Sequence, residues 1–158
     1  MGLFDGYNIA TSGMSAQRTR INIVSANIAN AQTTHTVDGG PYKKQNVIFE
    51  EILLNKQTKM NVEKQQDTPS KNEDGSIKLS HLRGVGIKEV MESKDKPVMK
   101  YEPQHPDANK EGYVAYPNIN PVIEMVDLIE AMRSYEANVS AFTTQKTMDT
   151  KTLDILRG

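Results

Sequence analysis

The spacing of large apolar residues over the last forty positions constrains the fold of this chain more than any other sequence feature. Between Met125 and Phe142 these residues recur at alternating steps of three and four, and the same count reaches two leucines near the end. Such a heptad pattern places side chains along one narrow stripe of an α-helix, which must pack against a partner. The stripe consists of Met125, Leu128, Met132, Tyr135, Val139, Phe142, Leu153 and Leu156.

The start and the length of this C-terminal helix can also be predicted. Asn120 can accept a hydrogen bond from the first free backbone N–H groups, and Pro121 suits the first turn because its missing N–H would have no partner there. Neither Gly nor Pro occurs from Val122 to Arg157. A helix of about 36 residues is roughly 54 Å long at 1.5 Å per residue. It therefore extends beyond any small core.

A second heptad stripe lies near the N-terminus, within residues 5–31. Asp5 or Ser12 is expected to cap this helix, which should end near Asn30 or Ala31 because threonines and an Asp-Gly-Gly-Pro turn signal follow. We expect Asn27 and Asn30 to hold the helix end and its turn. The stripe consists of Tyr7, Ala10, Met14, Gln17, Ile21, Val24, Ile28 and Ala31.

The segment between the two helices has short strand patterns and many turn residues. Tyr42–Phe49 is a strand candidate, while Glu51–Leu54 fits either more strand or one helical turn. Val85–Val90 and Val98–Glu102 are predicted to pair as a hairpin through the turn signal at 94–97, and Gly112–Tyr116 is a further strand candidate. Residues at about 55–83 are predicted from their polar composition to be a charged, flexible loop.

Composition excludes several classes of protein. The 158 residues have a hydrophobic content of 37%, an aromatic content of 6% and no Trp, so a large packed core is not expected. A net charge of −1 gives no general attraction to nucleic acid or to an anionic membrane. The absence of Cys excludes disulfides, cysteine-ligated zinc and thiol nucleophiles. No apolar run is long enough for a membrane-spanning helix, and residues 1–10 do not resemble a cleavable signal peptide.

No group of residues predicts catalysis, a metal site, a cofactor or a small-molecule substrate. The three histidines lie far from one another and from acidic pairs in the sequence, whereas the ligands of a metal site are usually closely spaced. Glu50 and Glu51 would point to opposite sides of a strand. Gly84 and Gly86 lack the third glycine and the lysine of a phosphate-binding loop. The sequence therefore predicts a protein that is not an enzyme.

The apolar seams of the two helices are thin relative to the length of backbone that they must order. Ordering each residue costs about 1–2 kcal/mol of backbone conformational entropy. We therefore expect the terminal helices to be marginal in an isolated chain and to become fully ordered when they pack against copies or relatives of themselves.

The ends of the chain resemble the axial proteins of the bacterial flagellum. Ser25–Asn30, at the close of the first helix, is similar to the N-terminal signature of that family. A longer order of residues, together with the short total length, resembles the rod proteins of the basal body within the flagellar rod and hook family. It consists of Gly40–Lys44, Tyr101–Pro103, His105–Ala108, Gly112–Val114, Pro117–Asn120, Glu124–Ala131 and Arg133–Val139.

This resemblance implies a fold, a function and a location. The fold is mainly α, with the terminal helices paired as an antiparallel coiled coil. Residues 1–34 and 118–158 would form a discontinuous inner, D0-like domain, and residues 35–117 an outer segment with short β-strands. The protein would be a structural subunit of the rod, the hollow drive shaft that transmits torque and lets exported subunits pass. It would leave the cytoplasm through the flagellar type III export apparatus, without a cleaved signal peptide, and reside in the periplasm.

The partners implied are other copies of the chain and other rod proteins, met through both stripes. The expected interface residues in the first helix are Met14, Ile21, Val24, Asn27, Ile28 and Asn30, and those in the last helix are the stripe positions from Met125 to Leu156. The alternative is a soluble coiled-coil binding module, or an adaptor of the export system, with its helices satisfied in a small closed oligomer.

Overall fold

The computed structural model describes residues 4–54 and 83–157. The predicted fold class is confirmed, because two long terminal helices enclose a small β-strand segment in the chain order. Most of the loop predicted at about 55–83 lies outside the described residues. The elements are α1 (Asp5–Ala29), β1 (Gln45–Leu53), β2 (Arg83–Glu92), β3 (Val98–Tyr101), β4 (Tyr113–Tyr116) and α2 (Pro121–Arg157).

Helix α2 begins as its sequence predicts. The Asn120 side-chain oxygen accepts a hydrogen bond from the Val122 N–H at 3.0 Å, and the Asn120 carbonyl accepts one from the Glu124 N–H at 3.1 Å. Pro121 is the first of 37 helical residues. Glu124 lies in the first turn, where the helix dipole favours a negative charge.

The end of α1 is predicted correctly, but its beginning is not. Asn30 closes the helix, since its backbone N–H and its side-chain amide both donate to the Ala26 carbonyl, at 3.0 and 2.9 Å. The expected cap by Asp5 or Ser12 is wrong. Phe4 occupies the capping position without a side-chain cap, and Asp5 is already helical. Ser12 lies inside the helix, where its hydroxyl donates to the Ile9 carbonyl.

The two helices form an antiparallel pair in a heptad register. Asn27 of α1 meets Glu124 of α2, Gly13 meets Asn138, and Gly6 meets Gln145. A step of fourteen residues along α1 is thus matched by fourteen along α2, and the next step of seven is matched by seven. The Cβ that Gly13 lacks would lie 2.7 Å from the Asn138 side-chain oxygen. The absence of a side chain therefore lets the helices approach closely at this point.

The strands form two separate antiparallel pairs, one of β1 with β2 and one of β3 with β4. The first pairs Gln45 with Glu92 and Leu53 with Arg83, and the second pairs Val98 with Tyr116. The predicted strands therefore exist, and the helical alternative for Glu51–Leu54 is wrong. The predicted hairpin between β2 and β3 is also wrong. The turn signal at 94–97 is local, whereas β1 offers β2 a nine-residue partner from a distant part of the chain.

Strand β2 sits directly on α1. The Val85 N–H donates to the Ser12 hydroxyl at 3.2 Å, and a Cβ at Gly84 would lie 2.6 Å from the same oxygen. The absence of a side chain at Gly84 therefore allows the strand to pack closely on the helix. The buried apolar residues among those described are few and mostly small: Ala10, Ala16, Val24, Ala31, Val114 and Ala131.

Candidate assembly interface

The stripe predicted on α2 is divided between two surfaces. Leu128, Tyr135, Val139 and Phe142 are partly buried against the rest of the chain. The other four stripe residues are exposed, with 51% of Met125, 47% of Met132, 60% of Leu153 and 77% of Leu156 accessible to solvent. The structure therefore brings only half of the stripe into the contact within the chain.

The seam that faces α1 lies about one residue to the side of the predicted stripe. Its most buried members are Glu124 and Ala131, which are 1% and 0% exposed. Asn138 and Gln145 continue the seam, as their closeness to Gly13 and Gly6 shows. The heptad pattern of large apolar residues does not include these small and polar positions. The small and polar side chains of the seam allow the helices to come together, and the larger residues remain at its edge or outside.

The part of α2 that does not face α1 carries exposed apolar residues over its first three turns. Its members follow helical spacing and are between 47% and 68% exposed. Beyond Met132 the same face becomes polar, with Arg133, Glu136 and Ser140. Soluble monomers seldom expose a large contiguous apolar surface unless it binds something. We call this surface the outward patch; it consists of Val122, Met125, Val126, Ile129 and Met132.

The residues predicted as interface positions on α1 lie nearer to the interior. Val24 is buried, and Asn27 is 1% exposed. The remaining four, Met14, Ile21, Ile28 and Asn30, are partly buried. Helix α1 therefore directs most of its stripe into its own chain, whereas α2 retains a free apolar face.

Asn27 is the centre of a buried polar cluster that joins three segments. Its side-chain nitrogen donates to the Gln45 carbonyl at 2.9 Å and to the Glu124 carboxylate at 3.1 Å. Its side-chain oxygen accepts from the Gln45 N–H at 3.0 Å and from the Tyr42 hydroxyl at 3.1 Å. All four hydrogen-bonding positions of the amide are thus used.

The cluster also contains an ion pair with one fully buried partner. The Lys44 ammonium lies 2.6 Å from the Glu124 carboxylate. Burial raises the pKa of the Tyr42 hydroxyl above its ordinary value, and the negative charges of Glu124 and Glu92 raise it further. We call Asn27, Tyr42, Lys44 and Glu124 the polar junction. The sequence does not predict the burial of Glu124, which is 1% exposed. The available signal is a carboxylate on the helix face that packs inward.

The far end of the helix pair is held by a smaller polar contact. The Tyr7 hydroxyl donates to the Asp149 carboxylate at 2.7 Å, and the rings of Tyr7 and Phe142 meet edge to face at 4.9 Å. The hydrogen bond to Asp149 is the main cause of a raised pKa of Tyr7. Arg20 lies between the two ends, 3.6 Å from Glu130 in a half-exposed ion pair.

The described residues contain no grouping that suggests chemistry. Within 4–54 and 83–157, no three His, Asp or Glu side chains are placed to hold a metal ion. His35 is exposed, and the His105 ring accepts a hydrogen bond from the Asp107 N–H. No helix in this part of the protein is both long and apolar enough to cross a membrane.

Comparison with known proteins agrees with the resemblance seen in the sequence. Residues 8–34 match the family model described as "Flagella basal body rod protein", and residues 110–155 match "Flagellar basal body rod FlgEFG protein C-terminal". The flagellar basal-body rod protein FlgC of Borreliella burgdorferi is 40% identical over all of both chains. FlgC of Bacillus subtilis is 36% identical, covering 98% of this chain and 99% of the relative. FlgC of Salmonella typhimurium is 34% identical over 98% of each. The chain belongs to the FlgC family of flagellar basal-body rod proteins.

Proposed function

We propose that this protein is a structural subunit of the flagellar basal-body rod and that it polymerises through its terminal helices. The observation that carries the proposal is the outward patch on α2, which remains exposed although the same helix is already paired with α1. The named relatives are rod proteins, which supports a structural role rather than catalysis and favours a rod subunit over an export adaptor.

The proposed arrangement divides the chain into an inner and an outer part. Residues 1–34 and 118–158 form the inner helical domain, and residues 35–117 lie outside it. The partners are other copies of the chain and other rod proteins. A contact between unlike surfaces that does not close into a ring generates a helix of subunits, which suits a hollow shaft that carries torque. Exposed Leu153 and Leu156 extend the available contact area toward the end of α2.

A rod subunit must cross the cytoplasmic membrane before it assembles. We place this chain on the flagellum's own type III export route, with the periplasmic part of the rod as its final location. The absence of cysteine is compatible with that route, since no disulfide has to be opened before the chain is threaded through a channel.

The proposal is tested by placing charges on the outward patch. Met125→Asp together with Met132→Asp changes the net charge by two units without touching a buried residue. Burying unpaired charges in a subunit contact costs several kcal/mol, and about 1.4 kcal/mol is a factor of ten in association. We therefore expect at least a roughly tenfold loss of the protein from isolated basal bodies, and loss of swimming.

Lys110→Asp is the matched control, because it changes the net charge by the same amount at an exposed position of the β3–β4 connection. This variant should be incorporated normally. Circular dichroism of the purified chains checks that the double substitution leaves the helices intact. Normal incorporation and swimming of the double variant would refute assembly through this face of α2.

A further inference from the structure

The polar junction connects segments that are far apart in the sequence. Asn27 lies in the last turns of α1, Lys44 immediately precedes β1, and Glu124 lies in the first turn of α2. Asn27 and Glu124 are also the two fully buried polar residues among those described. One cluster therefore determines how both helices and the first strand meet.

Outside the polar junction, the contacts that define one alignment are the Tyr7–Asp149 hydrogen bond, the close approach of Gly13 to Asn138 and the partly exposed ion pairs of Arg20. Ala10 and Ala16 on α1 and Ala131 on α2 are small, and Gly13 has no side chain. Since the seam repeats every seven residues, a slip of one heptad again places small residues between the helices. Such a slip would bring Ala131 opposite Asn27, and both Asn27 and Glu124 would lose their shared hydrogen bond.

A buried ion pair is seldom a large source of stability, because removing two charges from water offsets most of their attraction. Buried polar residues in helix pairs are better known for selecting one register over another. We infer that the polar junction fixes the register of α1 against α2, and seats β1 on the pair, more than it adds to the stability of the fold. The inference concerns the folded chain and does not depend on assembly into a rod.

The register can be measured at the other end of the helix pair, because the chain has no cysteine of its own. Gly6→Cys with Gln145→Cys reports the observed register, since a Cβ at Gly6 lies 3.2 Å from the Gln145 side chain. Gly6→Cys with Thr152→Cys reports a slip of one heptad. The two registers differ by about 10 Å along the axis, which is more than a disulfide can span. These positions are about 30 Å from the junction.

The decisive variant is Lys44→Met with Glu124→Leu, which removes both charges and retains much of the volume. Arg20→Met with Glu130→Leu is its control, because it removes the two ion pairs of Arg20, with Asp127 and Glu130, which also link the two helices but are partly exposed. The parent, the junction variant and the control variant are each made as full chains with each of the two cysteine pairs. Disulfide formation is followed by non-reducing electrophoresis. Helix content is followed by circular dichroism.

We expect the parent and the control to form only the 6–145 disulfide. The junction variant should retain its helix content and form the 6–152 disulfide at least about ten times faster than the parent, which corresponds to a shift of about 1.4 kcal/mol in register preference. The inference is overturned if the junction variant forms only the 6–145 disulfide, because the register then resides in the seam or in the Tyr7–Asp149 contact. Loss of helix content in that variant would also overturn it, as would failure of the parent to form the 6–145 disulfide.

Discussion

Two asparagines near the end of α1 have different structural roles although they are only three residues apart. Asn30 makes local bonds, to the Ala26 carbonyl and from the Thr33 hydroxyl, and so closes the helix. Asn27 is bonded to groups 15, 18 and 97 residues away in the sequence. The sequence predicts the local role, because capping depends on near neighbours. It does not predict the second role, which depends on which segments meet in the fold.

Replacing Asn27 with Ala should be strongly destabilising. The substitution removes the partners of the Gln45 backbone groups and leaves the buried Glu124 with Lys44 alone. Leaving buried polar groups without partners costs about 1–3 kcal/mol each, so we expect the free energy of unfolding to fall by about 3 kcal/mol. Urea denaturation measures this. Asn22→Ala, at an exposed position of α1, should change it by less than about 0.5 kcal/mol; equal effects would show that the cluster is not special.

Tyr42 should make the protein less stable at alkaline pH. Its pKa in the folded state is raised above the ordinary value of 10.0, so the folded protein holds the phenolic proton more tightly than the unfolded chain. This contribution to stability is complete below pH 10.0 and is lost as the pH rises through the folded-state pKa. Tyr42→Phe should therefore show a smaller decrease in unfolding free energy across that range. Parallel curves for the two proteins would contradict the assignment.

At the scale of elements, apolar periodicity predicts both helices, and cap and turn residues predict the start of α2 and the end of α1. Neither signal shows which side of α2 faces α1. The buried seam contains Ala131 and Asn138, whereas the search for large apolar residues selected Met125 and Met132. Strand pairing was missed for a related reason. A turn signal between β2 and β3 concerns adjacent residues, while the partner of β2 is chosen by packing with β1 and α1.

Gly84 should be essential for the contact between β2 and α1. A Cβ at this position would lie 2.6 Å from the Ser12 hydroxyl and 2.8 Å from a Leu54 methyl group. Either these side chains would have to shift, which would break the hydrogen bond between the Val85 N–H and Ser12, or the strand would have to move away from the helix. We expect Gly84→Ala to lower the free energy of unfolding by about 1–3 kcal/mol. Val85→Ala, at the exposed neighbouring position, should cost less than about 1 kcal/mol. Both values can be obtained from urea denaturation, and an unaffected Gly84→Ala would mean that the strand is not held against α1.

At the scale of the whole molecule, the described part of the protein is a helix pair with two short strand pairs, few buried apolar side chains and exposed apolar residues on α2. The outward patch lies on the same helix that forms the internal seam, so the assembly that we propose uses a side of α2 that folding leaves exposed. We expect contacts with neighbouring subunits to supply the burial that the small core does not. The family's place in the basal-body rod accounts for a chain organised in this way.

Thiol labelling of a Met132→Cys variant tests this account most directly, because the chain has no cysteine of its own. The gene for this variant replaces the native gene. The rate at which the thiol at position 132 reacts with a maleimide is then compared between the purified chain and isolated basal bodies. We expect rapid labelling of the purified chain, where 47% of Met132 is exposed, and strong protection in the basal body. Equal labelling rates in the two states would contradict the claim that the outward patch is the surface through which the rod assembles.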